Sequence, residues 1–168
     1  MSKSSQSGFT LIELVVVIVI LGILAAFALP RFARLDTSAR VASTRALEGS
    51  LRSSSALARS LWLSQGTNPA NVNMEGVAVT MTAGYPAPTA AGIGSTLAQG
   101  TVVAANNNTP GRWRTAVINP TTIQFQLNGA VNPAGCFVQY QWDGVAAIGP
   151  TITLPGGINN PTNNNPCQ

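Results

Sequence analysis

Residues 8–32 read GFTLIELVVVIVILGILAAFALPRF. From Leu14 to Pro30 the chain has 17 uncharged residues, and from Phe9 to Pro30 its 22 residues carry one charge, Glu13. The shorter run is at the low end for a membrane-crossing helix and the longer one is comfortable. An acidic residue inside such a run costs about 2.5–3.5 kcal/mol on insertion scales, less near an interface. How Glu13 is accommodated therefore decides what the segment is.

Three readings account for the run. A secretory signal peptide would use Lys3 as its basic start and Ala26-Phe27-Ala28 as an A-x-A cleavage site, with Glu13 inside its apolar stretch. A plain membrane anchor leaves Glu13 without a purpose. A cut between Gly8 and Phe9 would create an α-amine four residues before Glu13. If the amine facing Glu13 belongs to a neighbouring copy, the carboxylate is poorly accommodated alone and satisfied in a polymer. The last reading uses every unusual residue.

Outward from the run, the charges are unevenly placed. Arg31, Arg34, Arg40, Arg45, Arg52 and Arg59 crowd residues 31–59, with Asp36 and Glu48 among them. From residue 60 onward there are four charges, Glu75, Arg112, Arg114 and Asp143, so the net charge of +4 describes the middle of the chain. Asn, Thr, Gln and Ser keep the remainder soluble. The length of 168 residues suits one modest domain.

Residues 31–64 contain no proline and one glycine, Gly49, and predict a helix that resumes after Pro30. Pro30 cannot donate to the carbonyl of Ala26, which predicts a kink or loosening there. Gly22 and Ala26 form a small-xxx-small pair that lets another helix approach. Ala39, Ala42, Ala46, Gly49 or Ser50, Ser53, Ala56 or Leu57, and Ser60 repeat at three-to-four spacing, a face flat enough to lie on a sheet. Asp36 with Arg40, and Glu48 with Arg52, stand in the favourable i,i+4 order. Arg45, Arg52 and Arg59 recur every seven residues, as a solvated stripe or as one that meets neighbouring copies or anionic lipid. Gln65-Gly66, with Pro69 beyond, ends the helix. A rod of roughly 85 Å, at 1.5 Å per residue, is too long for one small domain to cover. Its exposed half needs a membrane or further copies.

The pattern then changes to period two. Residues 77–82, 113–118, 123–128 and 137–142 alternate as half-buried strands, with Asn128-Gly129 a turn signal between the last two. Short connections after residue 113 predict an antiparallel sheet with one face on the helix. Ile152 to Leu154 adds an edge strand. Residues 83–111 are a long Ala/Gly/Thr/Pro/Asn-rich connection with a helical turn at Ser95 to Gln99. The fold class is α+β, a long N-terminal helix packed on a C-terminal antiparallel sheet.

Cys136 and Cys167 have no metal-ligand spacing and read as one disulfide, which implies an oxidising compartment; the alternative is two unrelated buried thiols. The bond would tie down the polar tail GGINNPTNNNPCQ. The chain has no histidine, which removes His-based triads and His metal sites. Glu75 and Asp143, without close acidic neighbours, are too few for a calcium site. No nucleophile elbow, P-loop or dinucleotide fingerprint occurs, so no enzyme, metal or cofactor is expected. Arg112 and Arg114 around Trp113 are a thin footprint for DNA. Asn107-Asn108-Thr109 fits a glycosylation sequon, a common match in an Asn-rich loop.

GFTLIELVVVIVILGILAA resembles the type IV prepilin N-terminal motif, shared by type IV pilins and type II secretion pseudopilins. The resemblance spans about Gly8 to Arg40. The continuation PRFARLDTSAR, then ALEGSLRSSSALA, is similar to pilins of the mannose-sensitive haemagglutinin type. It implies cleavage after Gly8 and N-methylation of Phe9 by a prepilin peptidase, and pairing of Glu13 with a neighbour's Phe9 amine. It implies a helix that partly unwinds between Gly22 and Pro30 in a filament. The expected organisation is a leader over 1–8, a membrane and assembly segment over 9–30, an amphipathic helix over 31–66 and a globular sheet domain over 67–168. The resemblance implies insertion in the bacterial inner membrane, then a homo-oligomeric extracellular pilus built by inner-membrane assembly machinery and serving adhesion or motility. Arg31, Arg34 and Arg40 after the membrane segment oppose this orientation by the positive-inside rule. The cysteines and the resemblance both place the C-terminal part outside. Pseudopilins of this kind usually carry a calcium loop and no disulfide, so the cysteines favour a pilin over a secretion pseudopilin. A secreted binding domain with a discarded signal peptide is the further alternative.

Overall fold

Good helix formers, unbroken by glycine or proline from residue 50 to residue 65, carry helix α1 over Leu11–Gln65. The computed structural model describes residues 8–97, 102–103, 111–145, 148–158 and 165–167. The leader before Gly8, the Asn107-Asn108-Thr109 sequon and most of the Asn-rich tail lie outside them. The chain divides into two units, Met1–Ser38 and Ala39–Gln168. α1 stops where the residue pattern says it should. Gly66 takes φ +63°, the left-handed C-cap conformation that glycine adopts without penalty.

α1 runs through Pro30 without a break. The helix is thus continuous from Gly22 to Pro30 in the isolated chain; the partial unwinding expected there belongs to a filament. Proline's fixed φ is itself helical, and the loss is one hydrogen bond and a local clash. Unwinding needs a further force, such as contacts in an assembly.

In the second unit the strands are β1 (Asn71–Met74), β2 (Val77–Thr82), β3 (Tyr85–Pro86), β4 (Val102–Val103), β5 (Trp113–Asn119), β6 (Thr122–Leu127), β7 (Phe137–Gln141) and β8 (Thr151–Thr153). They form two sheets rather than one, of order β1-β2-β3 and β4-β5-β6-β7-β8. All pairings are antiparallel except β4 with β5. The sequence reading missed β1, β3 and β4. Glu75 (φ 51°) and Gly76 (φ 86°) make a two-residue turn between β1 and β2, with Asn73 Oδ1 accepting from Gly76 N at 2.8 Å. Positive φ at both central residues is the type I′ signature that matches strand twist. Residues 83–97 are not a bare connection: they hold β3 and a 3-10 turn over Ile93–Thr96. That turn begins two residues before the one expected from Ser95, and 98–100 lie outside the described residues. Asn128-Gly129 does bend the chain, with Gly129 at φ 81°, but the path from β6 to β7 continues through residues 130–136.

The face of α1 that packs on the sheets is not the small-residue face. Thr44, Leu47, Leu51, Ser55 and Ala58 are buried, while Ala39, Ala42, Ala46, Gly49, Ser53, Ala56 and Ser60 are exposed. Leucine removes far more apolar area from water than alanine or serine, so the larger side chains choose the buried side. Thr44 is tolerated inside because its hydroxyl donates to the Arg40 carbonyl at 2.8 Å. Leu47 and Leu51 join Ile123, Phe125, Val138 and Tyr140 in the main core. Ala58, with Val72, Val79 and Met81, forms a second core under the smaller sheet.

The two sheets are held together by side chains. Tyr140 OH donates to the Pro86 carbonyl at 2.7 Å and Trp142 Nε1 to the Thr82 carbonyl at 2.9 Å. Arg59 on α1 reaches the Gly84 carbonyl at 3.2 Å and lies 4.2 Å from the Tyr85 ring centroid. Burial pushes the Tyr140 phenol well above its ordinary range; the Ser55 hydroxyl opposes this and Tyr85 adds to it. A raised phenol pKa means that the folded state favours the neutral form. Its contribution is complete below the unfolded value of about 10 and is lost as pH rises through and beyond it. Tyr140→Phe is expected to lower stability by about 1–2 kcal/mol near neutral pH, because the Pro86 carbonyl loses its donor. The gap to the parent should narrow above pH ~10; urea midpoints at both pH values check this.

Candidate functional site

The N-terminal unit gathers the residues that the sequence singled out. Gly8, Phe9 and Thr10 lead into α1 and are exposed; Phe9 is 96% exposed. The apolar side chains that follow, from Leu11 through Leu24, also have open surface. This stretch of helix is apolar all round and long enough to cross a membrane. Phe9, Ile12, Glu13, Leu14, Val16 and Val17 line a shallow groove in which Glu13 is the one charged residue.

Glu13 has a local role that the sequence reading overlooked. Its Oε2 accepts from the Thr10 backbone N–H at 2.9 Å and from the Thr10 hydroxyl at 2.9 Å. In return Thr10 Oγ1 accepts from the Glu13 N–H at 3.3 Å. Thr10 stands at N-cap and Glu13 at N3, a capping box that satisfies two N–H groups left over at a helix start. The carboxylate also sits at the positive end of the helix dipole. The signal was present as T-L-I-E before an apolar run. Thr10 is thus the site residue that sequence reasoning missed.

The box uses the amide of Thr10 and not that of Phe9. A cut between Gly8 and Phe9 would leave it standing. Among the described residues Oε1 of Glu13 accepts no hydrogen bond, so the carboxylate keeps acceptor capacity beyond its own helix.

Gly22 is not required by the chain's own packing, since a Cβ there would meet no atom within 4 Å. Ala26 and Pro30 likewise lie on exposed helix. Their grouping along one segment is visible, but no partner surface for them exists among the described residues of the chain.

The remaining expectations fall in the second unit. Cys136 and Cys167 are bonded and fully buried. Thr44 Oγ1 lies 3.6 Å from one sulfur and 3.9 Å from the other, which sets the bridge against α1. The arginine stripe stays at the surface, with Arg45 and Arg52 exposed and Arg59 half-buried, while Arg52 bonds the Ile152 carbonyl and Arg59 that of Gly84. Trp113 is buried, Arg114 donates to Gln126 at 2.9 Å, and Arg112 donates to the Ser43 hydroxyl. Of the three residues weighed for DNA, Trp113 is thus packed in the core, while Arg112 is exposed and Arg114 half-buried. Among the described residues no three of His, Cys, Asp or Glu come together as a donor set for a metal.

Residues 3–29 match the family described as the prokaryotic N-terminal methylation motif. The type IV narrow pilus major component PilA5 of Thermus thermophilus is 53% identical over 51 residues, 30% of this chain and 44% of that protein. The type IV major fimbrial protein FimA of Dichelobacter nodosus is 44% identical over 50 residues, 30% of this chain and 32% of FimA. A further FimA from the same organism is 67% identical over 30 residues, 18% of this chain and 19% of its own length. The chain thus covers less than half the length of these curated relatives. No solved structure matched the chain.

Proposed function

We propose that this chain is a type IV pilin, a structural subunit that is cleaved after Gly8, N-methylated at Phe9 and polymerised through its N-terminal helix. The observation that carries the reading is a capped, apolar, uncovered helix start that keeps one carboxylate, Glu13, with an acceptor oxygen to spare. Similarity to pilus and fimbrial major components over the first 50 or so residues supports it. In this reading α1 holds the subunit in the inner membrane before assembly, and the sheet unit lies outside the cytoplasm, where a disulfide persists. Gly22 and Ala26 admit neighbouring helices, and Pro30 marks where α1 opens under assembly contacts. The partners are a prepilin peptidase, the inner-membrane assembly machinery and further copies of the chain.

N-terminal sequencing and intact mass of the sheared extracellular fraction test this. A chain beginning at N-methylated Phe9, two hydrogens lighter than its reduced form, is expected. The same N-terminus confined to the cell envelope would point to a pseudopilin. A start at Leu29 would mean that the apolar helix is a discarded signal, which would sink the proposal.

A further inference from the structure

The last strand of the five-stranded sheet, β8, has no charge of its own to protect its edge, since no charged residue follows Asp143. Natural sheets usually guard such edges with lysines, prolines or a covering element. Here Pro150 and Pro155 bracket the strand and remove donors on either side. Between them Ile152 is paired across from Tyr140, and its carbonyl points away from β7. Arg52 Nη2 donates to that carbonyl at 2.8 Å, while the same nitrogen bonds Glu48 Oε1 at 2.7 Å and Nε adds a contact at 3.2 Å. The guanidinium comes from α1, a hundred residues earlier in the chain.

We propose that the Glu48–Arg52 pair is an edge guard, which fills the outward acceptor of β8 and keeps a second copy of the chain from adding its own β8 there. In an antiparallel pair a residue's N–H and C=O face the same side. Two unguarded copies related by a two-fold axis at Ile152 would exchange both bonds, joining two sheets into one. The uncharged, β-branched Thr151-Ile152-Thr153 segment suits such pairing. The guard thereby directs association away from the sheet and leaves it to the helix. The choice of a second copy as partner rests on the reading of the chain as a self-assembling subunit.

Hydrogen exchange of the full-length protein in detergent micelles, at low and high concentration, tests the guard. In Arg52→Ala the amides of β8 should become protected as concentration rises, slowing about tenfold, while the parent shows no concentration dependence. Glu48→Ala, which keeps the guanidinium but frees it, should fall between the two. Adding Thr153→Lys to Arg52→Ala should abolish the protection, because a lysine on an edge strand opposes the addition of another strand; adding Ala134→Lys, at an exposed turn position outside β8, should not. No concentration-dependent protection in Arg52→Ala would overturn the proposal, as would protection that persists when Thr153→Lys is added. So would loss of protection throughout β5–β7 at low concentration, which would make Arg52 a structural support. None of these readouts involves cleavage or filament yield, so the guard and the pilin assignment can fail separately.

Discussion

Glu13→Gln is expected to leave cleavage after Gly8 intact and to cut the extracellular filament at least about tenfold. The substitution separates two roles that Glu13→Ala removes together. Glutamine serves at N3 of a capping box as glutamate does, so the bonds with Thr10 survive. The negative charge does not. If Glu13 serves only its own helix, the glutamine variant will assemble normally. If the carboxylate pairs with a neighbour's amine, the pair is lost. Accommodating an acidic group within a membrane span costs about 2.5–3.5 kcal/mol, and every 1.4 kcal/mol is about tenfold in an equilibrium constant. Thr10→Val makes the converse separation: the charge stays and the cap goes, at about 1 kcal/mol. Its loss of filament should be smaller and recovered by Thr10→Ser, which can still cap. Immunoblots of sheared and envelope fractions, with N-terminal analysis of both, read all four variants. Normal yield from Glu13→Gln would refute the pairing role.

The N-terminal helix was the most legible part of this chain. A composition so apolar, ended by a glycine cap, allows one element, and α1 follows it from Leu11 to Gln65. The strands with strict alternation, β2, β5, β6 and β7, were legible because each has one face in a core. β1 and β3 were not, being short and placed by a type I′ turn and by side-chain bonds from Tyr140, Trp142 and Arg59. The buried face of α1 was misread for a physical reason. Small residues recur on both sides of this helix, and spacing alone cannot say which side faces protein. Leu47 and Leu51 decide that through the area they bury. The exposed Ala39-Ala42-Ala46-Gly49-Ser53 face is then left outside the core. The neighbouring Ser50 and the face's own Ser53 each donate back to a carbonyl four residues earlier. At Glu13 the reading looked outward to a neighbour and passed over the nearer partner, Thr10. The two roles are compatible, because the cap engages one carboxylate oxygen.

Removing the disulfide should produce the largest loss of stability of any change in the second unit. The bond closes a loop between residues 31 apart, which on the chain-entropy estimate stabilises the fold by about 3–4 kcal/mol. Packing adds to this, because both sulfurs are fully buried and lie beside Thr44 on α1. The C-terminal segment has few other anchors among the described residues. Asn165 is one: its Nδ2 donates to the Ile158 carbonyl and its Oδ1 accepts from the Cys167 N–H, each at 2.9 Å. That cluster depends on Cys167 staying where the bond holds it. The informative variant is Cys136→Ala with Cys167→Ala, since a single substitution would leave a thiol free to form bonds between copies. Its midpoint of thermal unfolding should fall by roughly 15 °C. Reductant should lower the parent's midpoint toward that of the variant and leave the variant unmoved. A fall of only a few degrees would mean that the tail is held by its packing alone. The oxidising compartment inferred from the cysteines would then lose its structural reason.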